Sequence, residues 1–145
     1  MKAVVQRVKY AIVEVDGECV GKIDNGFLVL LGVKDDDTEA DVDYLVKKIC
    51  NLRIFKDENG KMNINVKDVG GEILVVSQFT LYADCSGGNR PSFVQAAKAE
   101  KANELYELFK KKIAVEIGRV ECGVFGADMK VSLLNDGPVT IVMES

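Results

Sequence analysis

An unbroken run of apolar residues and one glycine, from Phe27 to Val33, constrains the fold of this chain most strongly. A segment this short and this rich in Val and Leu predicts a strand that is buried on both faces. The turn dipeptides Asp16-Gly17 and Asn25-Gly26 precede it, and such dipeptides are typical of hairpins. The sequence therefore predicts earlier strands as well, over Met1–Val15 (as one strand or two) and Glu18–Ile23.

Helical spacing replaces strand alternation in two later segments. The first predicts a helix at about residues 38–52, which Thr38 and Asp41 would open as a capping box. Ser92 and Gln95 resemble a second capping box, so a second helix is predicted to begin there. Its apolar side consists of Ala96, Ala99, Leu105, Leu108, Phe109 and Ile113. Three lysines near its end are interpreted as a solvated helix terminus, with a phosphate contact as the alternative: Lys110, Lys111 and Lys112.

The remaining segments complete an α+β pattern. Asn59-Gly60 lies in a polar loop, and Asn135-Asp136-Gly137-Pro138 predicts a turn. Strands separated by two helices, without repeat or linker, predict a single domain of residues 1–145. We expect a mostly antiparallel sheet or partial β-barrel with two main helices packed on it. The further predicted strands are Glu72–Ser77, Arg119–Cys122, Lys130–Leu134 and Val139–Met143.

Histidine is absent from the 145 residues. Its absence excludes the Ser-His-Asp and Cys-His pairs of nucleophilic enzymes, and it removes histidine as a metal ligand. The four cysteines are scattered without a C-x-x-C pair, so they are interpreted as small packing residues in a reducing compartment. No ligand cluster for a metal-dependent hydrolase is found in the sequence, and no cofactor is expected.

The charge and hydropathy pattern limits the possible partners. The net charge is −4, whereas a protein that binds a long track of phosphates is usually basic. Any contact with nucleic acid is therefore expected to be local. No apolar run approaches the roughly 18–20 residues that span a membrane, and the first residues do not have the pattern of a signal peptide. We expect a cytoplasmic protein without membrane contact.

The aliphatic strand that begins at Glu72 ends in the mixed segment Ser77-Gln78-Phe79-Thr80-Leu81. A segment just past a strand end can present successive backbone N–H groups, and such groups stabilise a carbonyl oxygen as it becomes an oxyanion. The simpler interpretation is a strand that ends here, with polar residues that satisfy its edge. Composition alone does not separate the two.

A second unusual segment is Asn135-Asp136-Gly137-Pro138-Val139-Thr140. Its simpler interpretation is a hairpin turn. However, glycine and proline leave their carbonyl groups free of bulky side chains, so these oxygens can accept hydrogen bonds from an amine. A bond before proline can also be cis.

Four segments, in this order along the chain, resemble the D-aminoacyl-tRNA deacylase family. Met1–Val8 resembles the first strand of the family, and Ser77–Leu81 is similar to its Ser-Gln-x-Thr-Leu signature. Gly88–Phe93 resembles a further family segment, and Asn135–Thr140 is similar to its Asn-x-Gly-Pro-Val-Thr signature. The similarity covers essentially the whole chain without insertions. It implies the fold of that family.

The resemblance implies an enzyme that holds the CCA end of tRNA and hydrolyses the ester between a D-amino acid and the terminal adenosine. Family members are homodimers with two active sites at the subunit interface. Their Gly-Pro bond is cis, and the motif reaches from one subunit into the pocket of the other. By that model, the carbonyl oxygens of Gly137 and Pro138 meet the α-amino group of the substrate and an L side chain is rejected by clash. Glycine has no side chain to clash, so some cleavage of glycyl-tRNA is expected.

The same resemblance assigns further site residues. Arg7 matches the arginine that helps to hold the partner's Gly-Pro loop. Gln78 and Phe79 would supply backbone N–H groups near the scissile carbonyl. Phe125 and Met129 match positions that line the pocket for the terminal adenosine, although core packing remains an equal interpretation for both.

Thr80 invites assignment as a nucleophile, but an activated hydroxyl needs an adjacent base, and the chain has no histidine. The family pattern favours assistance by the 2′-OH of the terminal ribose. Thr80 is therefore interpreted as an orienting or structural hydroxyl.

Several other functions remain open at this stage. A sister deacylase that clears L-alanine has Pro-Gln-Ala-Thr-Leu at the first motif, and Ser77 and Phe79 fit the D-specific group better. A second relative is the editing domain of archaeal threonyl-tRNA synthetases. That domain is attached to a synthetase, whereas this chain is expected to be free-standing, which argues against this alternative. A non-catalytic module that binds RNA ends is the alternative from another class, and turnover at low enzyme concentration distinguishes it.

Overall fold

Eight strands and two α-helices form the fold, and the computed structural model of the chain describes residues 1–145. A short 3₁₀ helix, Phe79–Tyr82, follows the sixth strand. The helices are α1 (Glu39–Cys50) and α2 (Ala99–Ile117). The strands are β1 (Lys2–Val15), β2 (Glu18–Ile23), β3 (Gly26–Gly32), β4 (Phe55–Lys56), β5 (Met62–Ile64), β6 (Glu72–Ser77), β7 (Glu121–Cys122) and β8 (Lys130–Glu144).

The main sheet is mixed and curls towards a barrel. Its order is β2-β1-β3-β6-β7, and β8 pairs with β1. The three pairs that include β1 are antiparallel, as predicted, whereas β3–β6 and β6–β7 are parallel. A Cβ atom on Gly21 of β2 would lie 2.6 Å from the carbonyl oxygen of Cys122 in β7, so the two ends of the sheet come close together. The α+β fold with a partial barrel and two helices is therefore confirmed.

The seven-residue apolar run forms β3 and is buried on both faces, as predicted. Phe27, Val29 and Leu31 face the helices and belong to the larger apolar core. Leu28 belongs to a second core inside the curled sheet, against which Leu30 also packs. Alternate residues of a strand point to opposite faces, so one strand contributes to both cores. Neither helix is long and apolar enough to cross a membrane.

The first predicted helix is confirmed, but the predicted start of the second is wrong. α1 begins after Thr38, whose backbone N–H donates to the Asp41 carboxylate at 2.8 Å. α2 begins only at Ala99. Ser92 instead exchanges two backbone hydrogen bonds of 2.8 Å with Asp84. Its backbone is therefore held by another segment and cannot open a helix.

The predicted turn at residues 135–138 is also wrong. Residues on both sides of it belong to the single strand β8 and pair with β1, Asn135 with Val8 and Thr140 with Gln6. One residue of β1, Arg7, therefore stands opposite four residues of β8. The segment is a bulge in a continuous strand, so the chain does not reverse direction there.

The lysines of α2 do not lie at its end, because the helix continues to Ile117 and ends at Gly118. Lys110 pairs with Glu107 at 2.7 Å within α2. Lys112 pairs with Glu39 of α1 at 2.7 Å and thereby links the two helices. These two lysines are occupied by carboxylates, which argues against the phosphate contact.

We predict that Asp37→Ala lowers the free energy of unfolding by about 3–5 kcal/mol, the usual effect of breaking a buried ion pair. The Asp37 carboxylate accepts from the N-terminal ammonium of Met1 at 2.5 Å, and both groups are at most 1% exposed. The variant would leave a buried ammonium without its counter-charge. Urea unfolding measures the change. The control is Asp36→Ala, because Asp36 is exposed and pairs only with Lys34 at 3.3 Å, and it is expected to cost less than about 1 kcal/mol.

Candidate active site

A cavity of about 480 Å³ opens between the end of β6, the start of α2 and the segment before β8. It contains residues that the sequence analysis selected from two separate segments, and most of its lining is apolar. A concave apolar cavity with few polar groups is the usual form of a small-molecule site. The lining residues are Leu31, Val33, Val76, Ser77, Gln78, Phe79, Ala97, Ala99, Ala102, Phe125, Gly126, Ala127, Asp128, Met129 and Val131.

Of the two backbone N–H groups that directly follow β6, those of Gln78 and Phe79, only the first has an acceptor within the strand ladder. The Gln78 N–H donates to the carbonyl oxygen of Leu31 at 2.8 Å, extending the ladder between β3 and β6. It is therefore not available to a substrate, which corrects the role assigned to it from the sequence. Phe79 begins the 3₁₀ helix, and the first N–H groups of a helix have no acceptor within it. Phe79 is thus the better-placed backbone donor at the cavity.

Thr80 is exposed and is not part of the cavity wall. Its hydroxyl oxygen accepts a hydrogen bond from the side-chain amide of Gln78. A neutral amide cannot remove a proton from a hydroxyl, so nothing in this pair activates Thr80 as a nucleophile. Gln78 and Thr80 instead hold each other in place on either side of Phe79.

Phe125 and Met129 also line the cavity, and both pack against the apolar cores. The Phe125 ring lies 5.9 Å from that of Tyr106. Tyr106 is buried and donates its hydroxyl hydrogen to the Val75 carbonyl oxygen at 3.0 Å, and burial raises the pKa of its phenol. A Cβ atom on Gly123 would lie 2.5 Å from the Met129 sulfur, so the Met129 side chain packs directly against this glycine.

The bulge in β8 is held by its own side chains. The Asn135 side chain accepts the Val139 N–H at 2.8 Å and donates to the Thr140 hydroxyl at 2.9 Å. These bonds replace the backbone ladder across the bulge, so Gly137 and Pro138 project outwards. The Gly137-Pro138 peptide bond is cis, as the family resemblance implied.

Arg7 fixes the bulge from the opposite strand. Its side chain is buried; Nε donates to the Asp136 carbonyl oxygen at 2.9 Å, and Nη1 donates to the carbonyl oxygen of Ile54. The resemblance to the family assigns Arg7 to the loop of a partner subunit. In the structure Arg7 holds the loop of its own chain through Nε and Nη1, and its contact with the loop of a partner subunit stays a prediction.

The two candidate segments lie at opposite ends of β3. Ser77 pairs with Leu31 at one end, whereas Arg7, which stands opposite the bulge, pairs with Phe27 at the other end. Phe27 and Leu31 are four residue steps apart along the strand, roughly 13 Å. Gly137 therefore does not line the cavity of its own chain. The structure brings Ser77, Gln78, Phe79, Phe125 and Met129 together and leaves Arg7, Gly137 and Pro138 apart from them.

Sequence reasoning missed the small residues that make room for the cavity. Ala97, Ala99 and Ala102 line it at the start of α2. The apolar spacing there was interpreted as a helix face for packing, and only the small size of these residues hinted at a space beside them. No group of three or more His, Cys, Asp or Glu side chains lies in an arrangement that could hold a metal ion.

Comparison with known proteins gives consistent matches along the whole chain. Residues 4–144 match the family model described as D-Tyr-tRNA(Tyr) deacylase. A D-aminoacyl-tRNA deacylase of Clostridium novyi (strain NT) is 56% identical over 145 residues, which are 100% of this chain and 97% of the relative.

Two solved structures are similar in fold. One, a c-Myc DNA Unwinding Element Binding Protein, has a TM-score of 0.93 and 46% identity, with 100% of this chain and 99% of that chain covered. The other, described as a probable eukaryotic D-amino acid tRNA deacylase, has a TM-score of 0.85 at 17% identity, with 99% and 98% covered. The second likeness concerns the fold alone.

We predict that Gly137→Ala destabilises the protein by about 1–3 kcal/mol, the usual cost of one residue in a backbone region reserved for glycine. Gly137 has a φ of +145°, and an added Cβ atom would lie 2.7 Å from a Val139 methyl group and 2.9 Å from its nitrogen. Chemical unfolding measures the loss. Gly87→Ala is the matched control, since nothing lies within 4 Å of its added Cβ atom. Equal stability of the two variants would contradict the prediction.

Proposed function

The chain belongs to the D-Tyr-tRNA(Tyr) deacylase family, and on this premise we propose that it hydrolyses the ester between a D-amino acid and the 3′-terminal adenosine of tRNA. Water adds its oxygen to the ester carbonyl carbon, and the bond to the ribose oxygen breaks. The products are the free D-amino acid and tRNA with a free terminal hydroxyl. The full-length similarity to D-aminoacyl-tRNA deacylases carries this proposal.

The size and lining of the cavity support the placement of the substrate. Its volume of about 480 Å³ lies within the range of roughly 300–1,000 Å³ that is usual for one small ligand. Phe125 and Met129 offer an apolar wall for the flat face of the adenine. The aminoacyl group would then extend towards Ser77 and Phe79 at the end of β6.

In this arrangement the Phe79 N–H faces the ester carbonyl and stabilises negative charge on its oxygen in the transition state. Gln78 and Thr80 act indirectly by fixing the 3₁₀ helix through their mutual hydrogen bond. The chain supplies no histidine as a base. As the resemblance to the family implies, the 2′-OH of the terminal ribose assists the attack of water.

Selection of the D-enantiomer requires a second subunit in this account. Gly137 and Pro138 project outwards and lie apart from the cavity of their own chain. In a homodimer they enter the cavity of the partner, where their carbonyl oxygens accept hydrogen bonds from the α-amino group. An L side chain would collide with this loop. Glycyl-tRNA has no side chain to collide, so we expect it to be cleaved to some extent.

The cellular role follows from the substrate. Removing D-amino acids from tRNA is a proofreading step of translation, so we propose that the protein acts in the cytoplasm on the CCA end of aminoacyl-tRNA. One similar solved structure is named for binding to a DNA unwinding element. A non-catalytic nucleic-acid binder is therefore the second candidate, and catalytic turnover separates the two.

The direct test is a deacylation time course with D-tyrosyl-tRNA and L-tyrosyl-tRNA at an enzyme concentration far below that of the substrate. We expect many turnovers of the D-ester and no acceleration of L-ester hydrolysis. Cleavage of neither ester, nor of L-alanyl-tRNA, would support the binder. Cleavage of L-alanyl-tRNA alone would support the sister specificity.

We predict that Thr80→Ala retains most of the kcat for D-tyrosyl-tRNA, because the Thr80 hydroxyl has no base as a partner and only orients Gln78. Single-turnover rates with saturating enzyme measure this step. A loss of more than about a hundredfold, the scale of one lost catalytic group, would make Thr80 the nucleophile. Thr80→Ser is the control that keeps the hydroxyl.

A further inference from the structure

Two aromatic rings form an exposed platform at the mouth of the cavity. Phe79, which lines the cavity, is 54% exposed, and Phe93 packs edge to face against it with ring centroids 5.0 Å apart. Val94, the next residue, is 87% exposed. This apolar surface adjoins the cavity through Phe79, which belongs to both. Phe93 and Val94 lie outside the cavity, since neither belongs to its lining.

The loop that carries Phe93 is held in a defined position. Asp84 and Ser92 exchange two backbone hydrogen bonds of 2.8 Å, which close the loop at its base. The Asp84 carboxylate also accepts the Ser86 N–H at 2.9 Å, and this bond keeps its pKa below the ordinary value. The loop therefore presents Phe93 on the cavity side from a fixed base.

Two exposed cations without a carboxylate partner lie close in sequence to the residues of this surface. Lys98 is exposed and lies between Ala97 and Ala99, both of which line the cavity. Arg90 is exposed three residues before Phe93. Neither forms an ion pair, so both are free to contact a phosphate.

The size of the cavity determines what must lie on this surface. A volume of about 480 Å³ accommodates one nucleoside with its aminoacyl group, in the range of a single small ligand. The two nucleotides before the terminal adenosine must then leave through the mouth. Single-stranded nucleotides are bound by aromatic side chains that stack on the bases and by cations that contact the phosphates.

We propose that Phe93, Arg90 and Lys98 form a subsite for the two nucleotides that precede the terminal adenosine. This inference rests on the proposed function. One unpaired base stacks on the exposed face of Phe93, and the phosphates between the last three nucleotides lie against Lys98 and Arg90. The subsite distinguishes a tRNA end from a free aminoacyl-nucleoside and requires only a few cations, which agrees with the net charge of −4.

The test compares two substrates that share the same ester, D-tyrosyl-tRNA and 3′-O-D-tyrosyl-adenosine. Phe93→Ala, and separately the double variant Arg90→Ala with Lys98→Ala, are assayed on both. We expect kcat/KM for D-tyrosyl-tRNA to fall about tenfold or more, the effect of one lost base stack or of two lost phosphate contacts. The kcat/KM for D-tyrosyl-adenosine should stay within about twofold of wild type.

Two control variants separate binding from structure. Phe93→Tyr keeps an aromatic face and should restore the tRNA reaction. Lys61→Ala removes one exposed cation that forms no ion pair and lies in the hairpin of β4 and β5, and it should not change either reaction.

Each other outcome overturns the proposal in a recognisable way. An equal loss on both substrates would mean that Phe93 only supports Phe79. No loss on either would mean that the nucleotides leave by another route. Wild-type protein that cleaves neither ester would reject the proposed function together with this subsite.

Discussion

The backbone ladder of β1 is the interaction on which the rest of the structure depends. This one strand forms antiparallel pairs with β2, β3 and β8, so three other strands are positioned by it. The ladder with β8 is interrupted between Gln6 and Val8. At that interruption the side chains of Asn135 and Arg7 replace the missing backbone bonds. The interruption of the β1–β8 ladder thus forms a bulge that side-chain hydrogen bonds hold in place. Gly137 and Pro138 are exposed on this bulge.

This construction explains how chirality can be recognised without a specific side-chain pocket. In the proposed mechanism, backbone carbonyl oxygens contact the α-amino group irrespective of which amino acid is attached, so many D side chains can be accepted. The discriminating element must be rigid, because a loop that moved aside would admit the L-enantiomer. The buried guanidinium of Arg7 supplies that rigidity by holding the Asp136 and Ile54 carbonyl groups together. Because the loop lies apart from the cavity of its own chain, the proposed mechanism requires a second subunit to complete the site.

Much of the fold was predictable because its signals are local. The apolar run that forms β3, the capping box at Thr38 and the hairpin of β1 and β2 depend on residues close in sequence. The errors arose where distant segments decide the structure. Ser92 looks like a helix cap but is held by Asp84, and the segment from Asn135 to Pro138 looks like a turn but is bound between the two parts of one strand.

The sequence was sufficient to select most residues of the candidate site, but it did not show which hydrogen bonds those residues form. The signature around Ser77 and the positions Phe125 and Met129 meet in one cavity, and their roles towards the substrate stay predictions. Periodicity does not show that the Gln78 N–H is already bound to Leu31, because that bond depends on the register between β3 and β6. Nor does it show that Arg7 contacts Asp136 and Ile54 of its own chain.

The central claim is that each active site combines the cavity of one subunit with the Gly137-Pro138 loop of the other. The most direct test uses Ala127→Phe, which fills the cavity, and Gly137→Val, which disrupts the loop, each first shown to form an inactive dimer. Differently tagged copies are co-expressed, and the heterodimer is purified by both tags. We predict about half of the wild-type rate per dimer on D-tyrosyl-tRNA, because two-fold symmetry leaves one of the two sites intact. A heterodimer as inactive as its parents would show that cavity and loop must come from the same chain, and it would contradict the account.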